Sequence, residues 1–243
     1  TDCRHTASFR GKAPSKIIMG MDRSIIHVSF PFCKSCQPGP ISFDISPGDR
    51  YNGGRLERGA GKMKWMIASD IHGAAGFCRQ MLEAFREEKA DRLLLLGDLL
   101  YHGPRNSLPE GYDPKEAAAL LNGVKDKIFC VRGNCEAEVD QMVLEFPVLA
   151  DFCLLEAAGH LVFAAHGHHH NLENPPSLGS GDVLLHGHTH VPAKTGRDGW
   201  WYVNPGSVSL PKEGSARGYM TLEKGVFTWK TLEGQAYDSL ALS

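Results

Sequence analysis

Five short apolar runs, each stopping at an Asp, Asn or His close to a glycine, constrain this chain more than any other feature of its sequence. The runs cover 64–69, 92–96, 128–132, 161–165 and 183–186. They end at Asp70-Ile71-His72-Gly73, Gly97-Asp98, Gly133-Asn134, His166-Gly167 and Gly187-His188-Thr189-His190. Apolar runs of this length, bounded by turn formers, read as buried strands. A single Asp-x-His pair would carry nothing, because polar residues commonly follow strands as turn formers. Five strand ends with metal-competent side chains point instead to loops that converge on one place.

The segments between the runs are helical in pattern. Phe77, Met81, Leu82 and Phe85 recur at helical spacing within 74–89 and predict one buried stripe. Further helices are expected over 114–121, where Pro114 suits a first turn, and over 138–144. This βαβαβα order predicts a largely parallel sheet. Beyond Phe146 strands dominate, at 153–156, 161–165, 183–186, 200–203, 219–222 and 226–232, with Glu223-Lys224-Gly225 as a hairpin turn. The economical architecture is α/β, a four-layer αββα sandwich of two mixed sheets flanked by helices. Its site would lie at the C-terminal ends of the strands.

At 243 residues the chain fits one sizeable domain with an appendage. Residues 1–62 lack a sustained period and are rich in Gly, Pro and Ser, so a poorly structured extension is expected there, followed by a domain over 63–243. The stretch 25–32 is a candidate strand, and the lone pair Cys33 and Cys36 reads as incidental without a second pair. The abrupt change at Met63 suggests an internal start, with the preceding residues an upstream-start artefact; peptides from 1–62 in the natural protein would reject this.

A net charge of -2 and a pI near 6.6 give no electrostatic footprint for long nucleic acid. Small anionic substrates stay compatible, because bound metal ions supply positive charge locally. The seven cysteines, an odd count with no dense framework, read as reduced thiols of a cytoplasmic protein. No apolar run approaches the roughly 20 residues of a membrane helix.

The residue types fit one chemistry. Phosphoester hydrolysis needs a nucleophile made from water near neutral pH and positive charge on the phosphoryl oxygens, and two metal ions about 3.5–4 Å apart provide both. Asp98 could bridge such a pair, with imidazoles and an amide carbonyl completing the shells. A spacing of two would point Asp70 with His72, and His188 with His190, to one side of an extended segment.

Taken in order, Asp70-Ile71-His72-Gly73, Gly97-Asp98, His102-Gly103-Pro104-Arg105-Asn106, Arg132-Gly133-Asn134-Cys135-Glu136, His166-Gly167-His168, Gly187-His188-Thr189-His190 and Asn204-Pro205-Gly206-Ser207 resemble the signatures of the calcineurin-like metallophosphoesterase superfamily. They are most similar to those of its small bacterial YfcE-type phosphodiesterases. The resemblance implies that Asp70, His72 and His190 bind one metal and Asn134, His166 and His188 the other, with Asp98 shared. It also implies that a hydroxide between the ions attacks phosphorus in line, with Asp98 and Asn134 part of the catalytic centre. Manganese is the preferred metal on the same grounds, with Ni, Zn, Fe or Co as alternatives.

Cys135 departs from the pattern, since many members carry His directly after this Asn, where it steadies the phosphoryl group or protonates the leaving oxygen. A thiol is a weaker donor, so diesters with good leaving groups are expected to turn over better than unactivated monoesters. Cys135 is read as a neighbour of the ligands, with direct ligation as an alternative. Glu136 and His168 are read as supporting residues. His169 and His170 are read as solvated and His186 as buried and structural. His102 and Asn106 either touch substrate or merely line their loop. Asn204 to Ser207 is read as a turn closing the sheet, and Trp200 and Trp201 as packing. The competing functions are a phosphomonoesterase, a cyclic-nucleotide phosphodiesterase and, more remotely, a non-catalytic scaffold of the same fold. A small phosphodiester is the expected partner, with no membrane and a homo-oligomer allowed.

Overall fold

The computed structural model describes residues 63–243; the expectations for 1–62, including the candidate strand and Cys33 and Cys36, lie outside the described residues. Two mixed sheets stack against each other. The first has six strands: β1 (Trp65–Ala68), β2 (Arg92–Leu95), β3 (Ile128–Cys130), β9 (Gly218–Glu223), β10 (Val226–Thr231) and β11 (Ala236–Ala241), in the order β11-β10-β9-β1-β2-β3. The second has five: β4 (Phe152–Ala157), β5 (His160–Ala165), β6 (Val183–Leu185), β7 (Pro192–Arg197) and β8 (Trp200–Pro205), in the order β4-β5-β6-β8-β7. Only β1, β2 and β3 are parallel in the first sheet, so the largely parallel sheet read from the alternating pattern covers half of it; β9, β10 and β11 run antiparallel.

Three helices accompany the sheets: α1 (Ala75–Glu87), α2 (Pro114–Asn122) and α3 (Glu138–Val143). Helix α1 buries Cys78, Met81, Leu82 and Phe85, the stripe its spacing predicts except that Phe77 is half-buried, under the Arg217 guanidinium. Helix α2 starts where Asp113 accepts the Glu116 N–H at 2.9 Å and Pro114 occupies the first turn, both of which favour a helix N-terminus.

Strand alternation divides the core. Met66, Ala68, Leu93 and Leu95 face α1 and α2, while Ile67, Leu94 and Leu96 face Val162, Ala164, Val183 and Leu185 of the second sheet. Each of these buried Leu, Ile and Val side chains contributes about 1.5–3 kcal/mol. Trp229 of β10 is buried in the inter-sheet layer and donates its indole N–H to the Asn204 carbonyl at 2.7 Å, tying β10 to β8. The outer face of the second sheet packs Phe163, Leu184 and Trp200 beneath Leu172 and Leu178, so among the described residues this face is covered by irregular chain.

The hairpin at Lys224 and Gly225 forms as its sequence predicts, with φ of 53° and 75°. Ala158 with Gly159 and Asp198 with Gly199 make the same left-handed pair between β4 and β5 and between β7 and β8. Because β1, β2 and β3 run parallel, their C-terminal ends open on one edge, and β5 and β6, parallel in the second sheet, end in the loops that carry His166 and His188.

Candidate metal centre

The loops after β1 and β2 lie side by side. The Asp70 N–H donates to the Gly97 carbonyl at 3.1 Å and the His72 N–H to the Asp98 carbonyl at 2.9 Å. Asp70, His72, Asp98, His188 and His190 all adopt φ between 50° and 65°. The residues two apart therefore aim inward from left-handed backbone, and not through the alternation of an extended segment that their spacing suggested. Two glycines leave room for this. A Cβ at Gly133 would strike Asp98 and Glu136, and one at Gly187 would strike Ser69 and Asp70.

The histidines are fixed from behind. His72 Nδ1 meets the Tyr101 carbonyl at 2.8 Å, His166 Nδ1 the Leu96 carbonyl at 2.6 Å, and His190 Nδ1 the Leu210 carbonyl at 2.7 Å. A ring that donates from Nδ1 keeps its Nε2 lone pair free, the arrangement of a metal-binding imidazole. His72 Nε2 then lies 3.2 Å from His190 Nε2, and His166 Nε2 lies 3.1 Å from His188 Nδ1 and 3.1 Å from Asn134 Oδ1. Such acceptor-to-acceptor contacts repel unless a cation or a proton sits among them.

Carboxylates sit among these atoms. Asp70 Oδ1 is buried without a hydrogen-bond donor, 3.3 Å from His190 Nε2 and 3.7 Å from His72 Nε2. Asp98 turns Oδ2 to His72 Nε2 at 3.7 Å and Oδ1 to His166 Nε2 at 3.5 Å. Three overlapping groups have the spacing to hold a cation: Asp70 with His72 and His190, Asp70 with Asp98 and His166, and His72 with Asp98 and Cys135. An orphaned carboxylate oxygen and converging nitrogen lone pairs fit divalent metal ions.

The electrostatics follow from this crowding. Burial alone would raise the Asp70 carboxyl, but pairing with His190 and His72 outweighs it and holds the group well below the usual carboxylate range. Asp98 is lowered in the same way, its burial offset chiefly by His166. Burial would lower His166, yet Asp98 and Asp70 lift it to about 9. Burial and the neighbouring imidazoles push His168 down to about 4, so its ring is neutral near pH 7.

A pocket of about 360 Å³ opens over these groups, lined by Asp98, Asn134, Cys135, His188 and His190. Its rim adds Arg105, Asn106 and Lys212. Neither cation reads as a site residue from sequence: Arg105 stands only inside the signature from His102 to Asn106, and Lys212 is an exposed basic residue on a loop, which leaves no local pattern. His102 lies elsewhere, edge-on to the rings of Tyr101 and Tyr112, while Asn106 donates to its carbonyl. His168 lies beside His166, with ring centroids 5.4 Å apart. His170 packs edge-on against Phe163 rather than standing in solvent, and His186 is buried.

The turn from Asn204 to Ser207 does more than close the sheet. Ser207 and Ser209 both donate to the Asp70 carbonyl, at 2.8 and 3.1 Å, and Asn204 donates to the Gly187 carbonyl at 2.8 Å. It thereby grips the loops of Asp70 and His188 from beneath.

Phosphodiesterase YfcE of Escherichia coli K12 is 45% identical over 174 residues, covering 72% of this chain and 95% of the relative. The probable metallophosphoesterase YsnB of Bacillus subtilis is 27% identical over 176 residues, covering 68% and 88%. The solved structure of YfcE, a phosphoesterase from E. coli, superposes with a TM-score of 0.72 at 43% identity, covering 74% of this chain and all of that one. Residues 63–225 match the calcineurin-like phosphoesterase superfamily domain, and the chain belongs to that superfamily of metal-dependent phosphoesterases.

Proposed function

We propose that this chain is a phosphodiesterase with a dinuclear metal centre. Asp70, His72 and His190 would hold one divalent ion, Asn134, His166 and His188 the other, and Asp98 would give one oxygen to each. The carrying observation is the Asp98 carboxylate, whose two oxygens face histidines of the two different groups. Bound divalent ions supply a nucleophile from water at neutral pH and positive charge for the phosphoryl oxygens. The mixed nitrogen and oxygen donors do not select one metal, and manganese is preferred on family similarity.

The chain's own groups do the rest. The carbonyl contacts behind His72, His166 and His190 hold the rings so that little reorganisation accompanies the reaction. Arg105 and Lys212 on the rim favour an anionic substrate. Beside Asn134 stands the Cys135 thiol, raised above its ordinary pKa by burial and the Asp98 charge and so a poor proton donor. A site without a strong acid for the departing oxygen suits diesters with good leaving groups, in line with the name of the YfcE relative.

The test is a manganese-reconstituted screen of matched mono- and diesters, with Asp98→Ala as control. Diester hydrolysis abolished by the substitution is expected. Faster turnover of monoesters, or activity that survives Asp98→Ala, would overturn the proposal.

A further inference from the structure

An open groove of about 730 Å³ runs between α2 and α3, walled by Tyr101, Tyr112, Ala118, Ala119, Val139 and Val143. It has about twice the volume of the pocket over the metal ligands, and its surface is mainly apolar although Lys115, Asn122 and Asp140 also line it. Tyr101, Val139 and Val143 keep 43%, 60% and 49% of their surface exposed, an apolar concentration that points to a ligand or partner.

Its inner end is Cys135, the one residue it shares with the pocket over Asp98 and Asn134. The thiol lies 3.3 Å from Asp98 Oδ2 and 3.2 Å from Asn134 Nδ2. Gly103 stands behind it, where an added Cβ would come within 3.3 Å of the sulfur. A group attached to phosphorus at the metal ligands would enter the groove past this thiol, which is slimmer than an imidazole. Arg105 and Lys212 line the other pocket, whereas the groove's own cation, Lys115, is accompanied in its lining by the Asp140 carboxylate. Taken together, the two neighbouring pockets offer a cationic end and a mainly apolar end, the usual build of a small-molecule site.

We propose that the groove between α2 and α3 is the subsite for one apolar ester arm of the substrate, an aryl or alkyl group on a phosphodiester oxygen. This rests on the phosphodiesterase reading above. Recognition is chiefly by burial, so affinity grows with the apolar surface of the arm.

Two homologous pairs test it with the manganese-loaded full chain. Methyl and hexyl para-acetylphenyl phosphates differ in the retained arm. Methyl para-acetylphenyl and methyl para-hexanoylphenyl phosphates differ in a departing phenol of nearly constant acidity. In one pair the longer chain is expected to raise kcat/KM by roughly tenfold. Ala119→Phe, which fills the groove, and Val139→Glu, which polarises it, should each bring that ratio close to one. Both positions are exposed, so the fold should persist, as thermal melts would verify. Ratios near one in both pairs, with the short diesters still hydrolysed, overturn the subsite while leaving the phosphodiesterase reading intact. No hydrolysis of any diester overturns both. A dimer dispersed by Val139→Glu, with no chain-length effect, assigns the groove to a second copy and also overturns the proposal.

Discussion

Glu136 clamps the loop that carries Asp98: Oε2 accepts the Asp98 N–H at 2.9 Å and Oε1 the Leu99 N–H at 2.7 Å. The Gly133 N–H joins at 2.5 Å, so one buried carboxylate ties the loops after β2 and β3 together. Glu136→Gln keeps the volume but turns an amide donor toward N–H groups. The expected result is a loss of 10–100-fold in metal affinity with the fold retained. Calorimetric titration with manganese checks this, and an unchanged dissociation constant would remove Glu136 from the positioning of Asp98.

Metal uptake should be proton-coupled. With His166 lifted to about 9 in the absence of a cation, a proton must leave before that nitrogen can coordinate. Affinity should therefore rise about tenfold per pH unit between about pH 6.5 and 8.5 and level off above the pKa. Titrations in buffers of different ionisation heat would count the released protons, and none released would contradict the assignment of His166 as a ligand.

Cys135→His places an imidazole where the thiol contacts Asp98 Oδ2. A properly placed general acid is worth about 10²–10⁴-fold, so part of that gain is expected for diesters with poor leaving groups and little for activated ones. A leaving-group series on wild type and variant should show a shallower dependence on phenol acidity in the variant. Parallel lines would mean that protonation of the departing oxygen is not limiting.

Away from the site, Glu88 joins α1 to the first sheet. It accepts from Lys230 at 2.6 Å, Tyr219 at 2.8 Å and Lys64 at 2.6 Å. Burial alone would raise its pKa, but these three partners bring it from 4.5 to about 2. A depressed carboxylate stabilises the fold above its unfolded pKa, and that contribution is lost as pH falls through the folded one. Glu88→Gln should cost about 1–2 kcal/mol near pH 7, with the gap to wild type closing between about pH 5 and 2. Urea denaturation across that range gives the comparison, and a gap independent of pH would show that the charge is not what stabilises.

Much of this was legible beforehand, for physical reasons. Strands β1, β2, β3, β5 and β6 bury most of their side chains, so each reads as an apolar run, and the residues that follow are unusual for turns of that kind. Strands β7 and β11 left no such trace. Both are edge strands: Pro192 opens β7, which is half-buried to exposed throughout, and only Leu240 of β11 is buried. Edge strands that bury as little as these two need no apolar period, whereas β3, also at an edge, still buries Ile128 and Cys130. At the candidate site, which residues would gather was readable but their posture was not. Nothing local to Ser207 signals a bond to a carbonyl 137 positions away, and the polar character of His102 gave no hint of the tyrosines it lies against.

The left-handed residues of the candidate centre carry a consequence for evolution. Among the described residues ten non-glycine positions have positive φ, and five of them are Asp70, His72, Asp98, His188 and His190. Each costs roughly 1 kcal/mol that glycine would not incur. A library selected only for heat resistance without metal should therefore drift toward Gly or Asn at these positions, gaining melting temperature while erasing the chemistry. Half of this uncomfortable backbone thus gathers at the candidate centre, where selection for turnover would be what keeps it.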